Sequence, residues 1–162
     1  MKDNDLLNLL EMNAKLNSCD LATLLDEDET IINAKIGELE KEQIICGYHT
    51  IINWDKTNKD SVSSIIYVDA QPERDYGYDR IAKSIYSFPE VESMYLTSGK
   101  SDFIIMMHAA TMNDIANFVA TKLACINGVT STSTLIVLKT YKASNTVMAA
   151  DEAQKERLVV TP

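Results

Sequence analysis

The chain has 162 residues, 46% of them apolar, and a formal net charge of −9 at pH 7. That length can bury a sizeable core in one domain or in a small head on a larger body. The charge excludes a non-specific nucleic-acid binder, because a polyanion raises the electrostatic cost of approaching phosphates. Residues 1–60 carry six Lys and no Arg against thirteen Asp and Glu, so seven of the nine net charges sit in the first third.

The opening residues, MKDNDLL, lack a cationic start followed by a long apolar run, and no stretch approaches about 18 apolar residues. Neither export nor membrane insertion is expected, and the chain reads as cytoplasmic. Cys19, Cys46 and Cys125 are odd in number, far apart and set in apolar patterns, which suits reduced structural thiols. His49 and His108 are the only imidazoles, and neither has a second ligand at i+3 or i+4. They read as satisfied core or strand histidines, and no metal or other cofactor is expected.

In chain order, Leu6, Leu7, Leu10 and Ala14 recur at helical spacing over residues 5–14 behind Asp3 or Asn4 as cap. Asn17 or Ser18 can cap a second helix carrying Leu21, Ala22 and Leu25. A third runs from about Glu29 to Glu42, with Asp28 as its cap and Ile32, Ile36 and Leu39 along one face. Residues 44–52 alternate or run apolar, which predicts a two-stranded wing, and residues 53–61 read as a hinge.

The remainder repeats one pattern: strand 62–69, helix 74–87, strand 91–98, then strand 102–109, helix 112–126, strand 129–141. A tight turn at Ser98, Gly99, Lys100 and Ser101 joins the middle strands, giving an antiparallel β-α-β-β-α-β, ferredoxin-like order. Pro89 and Gly128 end the two helical stretches. The fold class is therefore α+β, with a winged helix-turn-helix head at 1–52, a hinge at 53–61, a ferredoxin-like body at 62–142 and a tail or docking arm at 143–162. The body strands are apolar on both faces in places, as at Phe103 to Met107 and Leu135 to Leu138. Two helices cover one face of such a sheet, so the other needs a partner, and a second copy of the chain is the economical one.

Four pieces of sequence in order carry a family resemblance. They are Asn13-Ala14-Lys15 with Leu21-Ala22; Leu39-Glu40-Lys41-Glu42 with Ile44-Ile45 and Gly47-Tyr48; Thr97-x-Gly99-x-x-Asp102-Phe103; and Gly128-Val129 with Thr132-x-Thr134. Over about residues 3–141 the chain resembles the leucine-responsive regulator and AsnC (Lrp/AsnC) family of prokaryotic transcription factors. The resemblance implies sequence-specific binding of double-stranded DNA by the head and an amino acid effector held between neighbouring bodies of the RAM type. It also implies a homodimer that often assembles into octamers.

A free amino acid needs a carboxylate for its ammonium, main-chain N–H groups for its carboxylate, and hydroxyl or amide partners. Gly99, Lys100, Ser101 and Asp102 of the hairpin, with Thr132 and Thr134 from a nearby strand, can supply these. Tyr95, Thr97 and Met106 are secondary wall candidates. The bland alternative is an ordinary turn whose Gly takes a positive φ and whose Asp bonds the loop.

On the third helix, the DNA-facing positions are Thr30, Asn33, Ala34, Lys35 and Glu38. Family members usually place arginines there, whereas Lys35 is the one cation of this set. Asp26-Glu27-Asp28-Glu29 suits a helix start electrostatically but repels a phosphate backbone. The competing reading is a sensor or protein-interaction module whose acidic head has left DNA. Catalysis is not expected: a decarboxylase of similar layout would rest on His49 alone, with no second acid or base beside it.

Overall fold

The computed structural model describes residues 3–58 and 61–148 of the chain. It divides into two compact units, Met1–Ile51 and Ile52–Pro162. The first contains α1 (Asp3–Met12), α2 (Ser18–Leu25) and α3 (Glu29–Lys41). Their apolar stripes meet in one core of Leu6, Leu10, Leu21, Ile32 and Leu39, ringed by Leu7, Ala22, Leu25, Ile36 and Ile45. Of the two candidate caps for α2, Asn17 is the one used. Its side chain accepts from Asp20 N–H at 2.8 Å while Asp20 reaches back to Asn17 N–H, a reciprocal capping box. Asp26 ends α2 in the left-handed region, and Asp28 caps α3 by accepting from Thr30 N–H at 2.7 Å.

Residues 44–52 form no paired strands, so the expected wing is absent as a ladder within this chain. Gln43, at φ 58°, turns the chain out of α3, and Ile44, Tyr48, Ile51 and Ile52 beyond it stay exposed. Two short strands without a third, or without an apolar face to pack on, are marginal in water.

The second unit is a four-stranded antiparallel sheet in the order β2-β3-β1-β4. Its strands are β1 (Val62–Ala70), β2 (Val91–Leu96), β3 (Phe103–Ala109) and β4 (Val129–Ile136). Helix α4 (Asp79–Tyr86) connects β1 to β2. Helix α5 (Met112–Phe118), continued by a π-helical turn over Val119–Leu123, connects β3 to β4. This is the ferredoxin-like arrangement that the element order implies.

Period-two alternation decides the faces. Ile66, Val68, Ala70, Phe103, Ile105 and Met107 point to the helices and pack on Ile81, Ile85, Ile115, Phe118 and Leu123. The opposite face carries Ile65, Tyr67, Ile104, Met106, Leu135 and Tyr95, paired in register across the strands.

Several boundaries differ from the sequence expectation. Helix α4 starts at Asp79, because residues 73–77 close a turn in which Glu73 and Gly77 exchange both main-chain hydrogen bonds and Gly77 takes φ 56°. Strand β4 ends at Ile136. The chain then turns back through a small hairpin, β5 (Lys142–Ala143) and β6 (Thr146–Val147), closed by Ser144 and Asn145 at positive φ. Two adjacent left-handed residues make the turn whose twist suits a tight hairpin. The first residues of the expected tail are therefore folded, and Asn53 Nδ2 donates to Met148 O at 2.8 Å beside them. Leu158, Val159 and Val160 lie outside the described residues.

The cysteines are free, as expected, but all three are exposed instead of serving the core. Cys19 and Cys46 fall on the solvent side of their segments, because the core is filled by the Leu and Ile stripes. His108, on β3, is satisfied on both ring nitrogens, by Ser63 Oγ at 2.7 Å and by Glu92.

Candidate functional site

The β2–β3 hairpin stands at the end of the sheet where β1 finishes. Thr97 N–H donates to Asp102 O at 2.8 Å, and Thr97 Oγ1 donates to Ser101 O at 2.6 Å, so the turn is held by its own main chain. A Cβ added at Gly99 would meet no neighbour within 4 Å, and Gly99 takes no positive φ. The smallness of Gly99 is therefore not demanded from inside this chain, and its outer side is open. Lys100 is exposed; Ser101 and Asp102 are partly buried.

Asp102 is deeply committed. Its Oδ2 accepts from Ala70 N–H at 2.7 Å and its Oδ1 accepts from the Tyr78 hydroxyl at 2.6 Å. The carboxylate thus ties the hairpin to the last residue of β1 and to the start of α4. The bond to Asp102, with burial second, raises the Tyr78 phenol above its ordinary value. Tyr78 also packs edge-on against Phe103, at 5.4 Å between ring centroids.

Thr132 and Thr134 pair with Val68 and Ile66, so they lie on the helix-bearing side of edge strand β4. Ser131 and Ser133 face the other way, opposite Asp69 and Tyr67. The structure thus brings together Gly99, Lys100, Ser101 and Asp102, while the threonine pair lines a different face from Ser131.

Sequence reasoning passed over Asp69. This residue accepts a 2.5 Å hydrogen bond on Oδ2 from the Ser131 hydroxyl. The Ser131 bond first, then the nearby Ser101 hydroxyl, and the Lys100 charge hold the carboxyl below its ordinary value. The signal for it is the one charged residue in strand β1. Its meaning depends on the register with β4, which a one-residue slip would reverse.

Two grooves lie on the second unit. One, of about 310 Å³, is lined by Ala82, Tyr86, Met94, Leu96 and Phe103 with Glu92 and Ser93. Its walls are mostly apolar and its one carboxylate, Glu92, already pairs with His108, so it offers little to a zwitterion. The other, of about 270 Å³, includes Arg80, which already pairs with Glu73 at 3.3 Å.

In the first unit, α3 exposes Thr30, Ile31, Asn33, Ala34 and Glu38. Asn33 Oδ1 accepts from Ser18 Oγ at 2.5 Å, which orients its amide from α2. Lys35 is not a free cation: it pairs with Glu38 at 2.8 Å and with Asp3 at 3.1 Å. Those partners, Glu38 first, raise its pKa. His49 is exposed on the segment after α3, and no group of three or more metal-ligating side chains occurs among the described residues.

Comparison with known proteins bears directly on this arrangement. Residues 63–147 match the family profile for the Lrp/AsnC ligand binding domain. The chain is 35% identical over 162 residues to YugG, an uncharacterised HTH-type transcriptional regulator of Bacillus subtilis, covering 99% of this chain and 97% of that one. It is 29% identical over 141 residues to the HTH-type transcriptional regulator LrpA of Pyrococcus abyssi, covering 87% and 97%.

Among solved structures, the fold is shared with a transcriptional regulator of Neisseria meningitidis in complex with L-Met. The TM-score is 0.69 at 23% identity, covering 87% of this chain and 90% of that one. It is shared equally with AsnC of E. coli, with a TM-score of 0.66 at 22% identity, covering 91% and 96%. The relatives are regulators and not enzymes. A helical head of helix-turn-helix type, a ferredoxin-like body and these matches along nearly the whole length lead to one conclusion: the chain belongs to the Lrp/AsnC family of transcriptional regulators.

Proposed function

We propose that this regulator binds a free amino acid or a closely related metabolite at the β2–β3 hairpin, between second units of neighbouring copies, and that this binding modulates DNA recognition by α3. The observation that carries the reading is the hairpin itself. Around Gly99 the main chain is open, a cation is present in Lys100, and carboxylates stand behind it in Asp102 and Asp69. Together these complement both charges of a zwitterion. Gly99, Lys100, Ser101 and Asp102 form the rim, with Asp102 holding the turn in place. Thr132 and Thr134 contribute only if the ligand reaches the helix-bearing side of β4. The relative solved with L-Met supports an amino acid as the ligand class.

The assembly we infer is a homodimer through the open sheet face, where Tyr95 and Leu135 are 56% and 48% exposed. Closure of dimers into an octamer is the further step that would set bodies side by side at the hairpins. Thermal denaturation with each of the twenty L-amino acids tests the effector half. A ligand at 100 times its dissociation constant raises stability by about 2.7 kcal/mol. No shift with any of them would remove it.

For the head, DNA contact runs through Thr30, Asn33 and Ala34, with Lys35 restrained by Glu38 and Asp3. A second reading, of a sensor whose head docks protein instead of DNA, draws on that same neutralised lysine. Glu38→Arg separates the two. If α3 reads DNA, the change releases Lys35 from one of its two acidic partners, adds a cation and raises affinity for the regulator's own promoter duplex by on the order of tenfold at low salt. Fluorescence anisotropy measures it, and an unchanged, undetectable affinity favours the protein-docking reading.

A further inference from the structure

The effector site proposed above needs a carboxylate for the ligand's ammonium, and two stand at the hairpin end of the sheet. Asp102 is the one that the sequence pattern indicates, yet Ala70 N–H and the Tyr78 hydroxyl each occupy one of its oxygens. Its work is to join β1, the hairpin and α4. Asp69 differs. Ser131 bonds its Oδ2, while its Oδ1 is enclosed without a hydrogen-bond partner.

An unsatisfied carboxylate oxygen is a desolvation cost that nothing inside this chain recovers. The residue itself remains partly exposed. Ser131 gives its hydroxyl hydrogen to Asp69, which leaves its oxygen free to accept, and the Ser101 hydroxyl lies near the same carboxylate. The resulting set is one ionised carboxylate and two hydroxyls, suited to a group with three N–H donors. Lys100 is exposed and close enough for its charge to act on Asp69. An incoming ammonium would take over that role and leave the lysine free for the ligand's own carboxylate.

We propose that Asp69, assisted by Ser101 and Ser131, receives the ammonium group of the amino acid effector, and that Asp102 is a positioning residue. This rests on the reading of the hairpin as the effector site. The test uses the full-length protein in calorimetry and thermal denaturation with the twenty L-amino acids, then with the des-amino acid matching the best responder.

Asp69→Asn should keep the fold and weaken the responding amino acid by at least about tenfold, the scale of one charge-assisted hydrogen bond. The des-amino acid should bind wild type and Asp69→Asn alike. Asp102→Asn should lower the unliganded melting temperature and, by loosening the hairpin, weaken the amino acid and its des-amino analogue to the same degree. Ser131→Ala, at an exposed position, provides a milder variant with a several-fold loss should Asp69→Asn not fold. Unchanged affinity in Asp69→Asn, or in Ser131→Ala where that stands in, overturns the assignment while the effector site survives. Silence of the wild type toward every amino acid overturns both.

Discussion

Individual residues in this fold carry separable costs. Gly37 sits in the middle of α3 with nothing within 4 Å of where a Cβ would stand, so it serves no close approach inside this chain. Gly37→Ala should therefore raise stability by up to about 1 kcal/mol, read as a higher melting temperature of the first unit. Gly128 is the opposite case. At φ 95°, a Cβ there would stand 2.6 Å from Ile81 Cδ1, and the carbonyl of Gly128 accepts from Gln71 N–H at 2.7 Å. Gly128→Ala combines a disfavoured backbone with a collision in the core and should cost roughly 1–3 kcal/mol in urea denaturation. The sequence places Gly37 within a helix and Gly128 just after one. Only the neighbours of each decide which is dispensable.

Among the elements, helix starts are largely legible because their caps are local chemistry. Asn17, Asp28 and Thr111 each accept a hydrogen bond from a main-chain N–H in the first turn of the helix they precede. Asn17→Ala should lower stability by about 1 kcal/mol, with loss of helical signal confined to the first unit. The wing is not legible in the same way, because alternation in residues 44–52 specifies strand propensity but not a partner. The end of β4 and the start of α4 fall short of the sequence pattern for a similar reason. Beyond Ile136 an apolar run continues where the ladder stops, and before Asp79 the turn closed by Glu73 and Gly77 takes residues assigned to the helix.

Across the molecule, acid should weaken both units. Asp28 in the first unit is held below its ordinary value by Thr30, and in the second Glu90 is held down first by Lys122 and Asp69 first by Ser131. A depressed carboxyl contributes fully above its unfolded value, 3.8 for Asp and 4.5 for Glu, and loses that contribution as pH falls through the lower folded value. Melting temperature should therefore drop as pH falls below about 4.5. Glu90→Gln should be less stable than wild type at pH 7, with the difference narrowing as pH falls below about 4.5, by calorimetric scans.

Periodicity, capping and turn residues were enough to specify the two-unit plan, the order of helices and strands, the core stripes and the tight turn of the β2–β3 hairpin. Each of these signals acts over a few neighbours along the chain. Packing in three dimensions was needed to tell which carboxylate at that hairpin is spent on holding the fold and which is left incompletely satisfied. It was needed equally to show that Lys35 is matched by Asp3 and Glu38, and that Ser131 rather than Thr132 faces Asp69. Each of those facts is a pairing across the fold, set by strand register and helix packing. A pattern read along one dimension does not contain it.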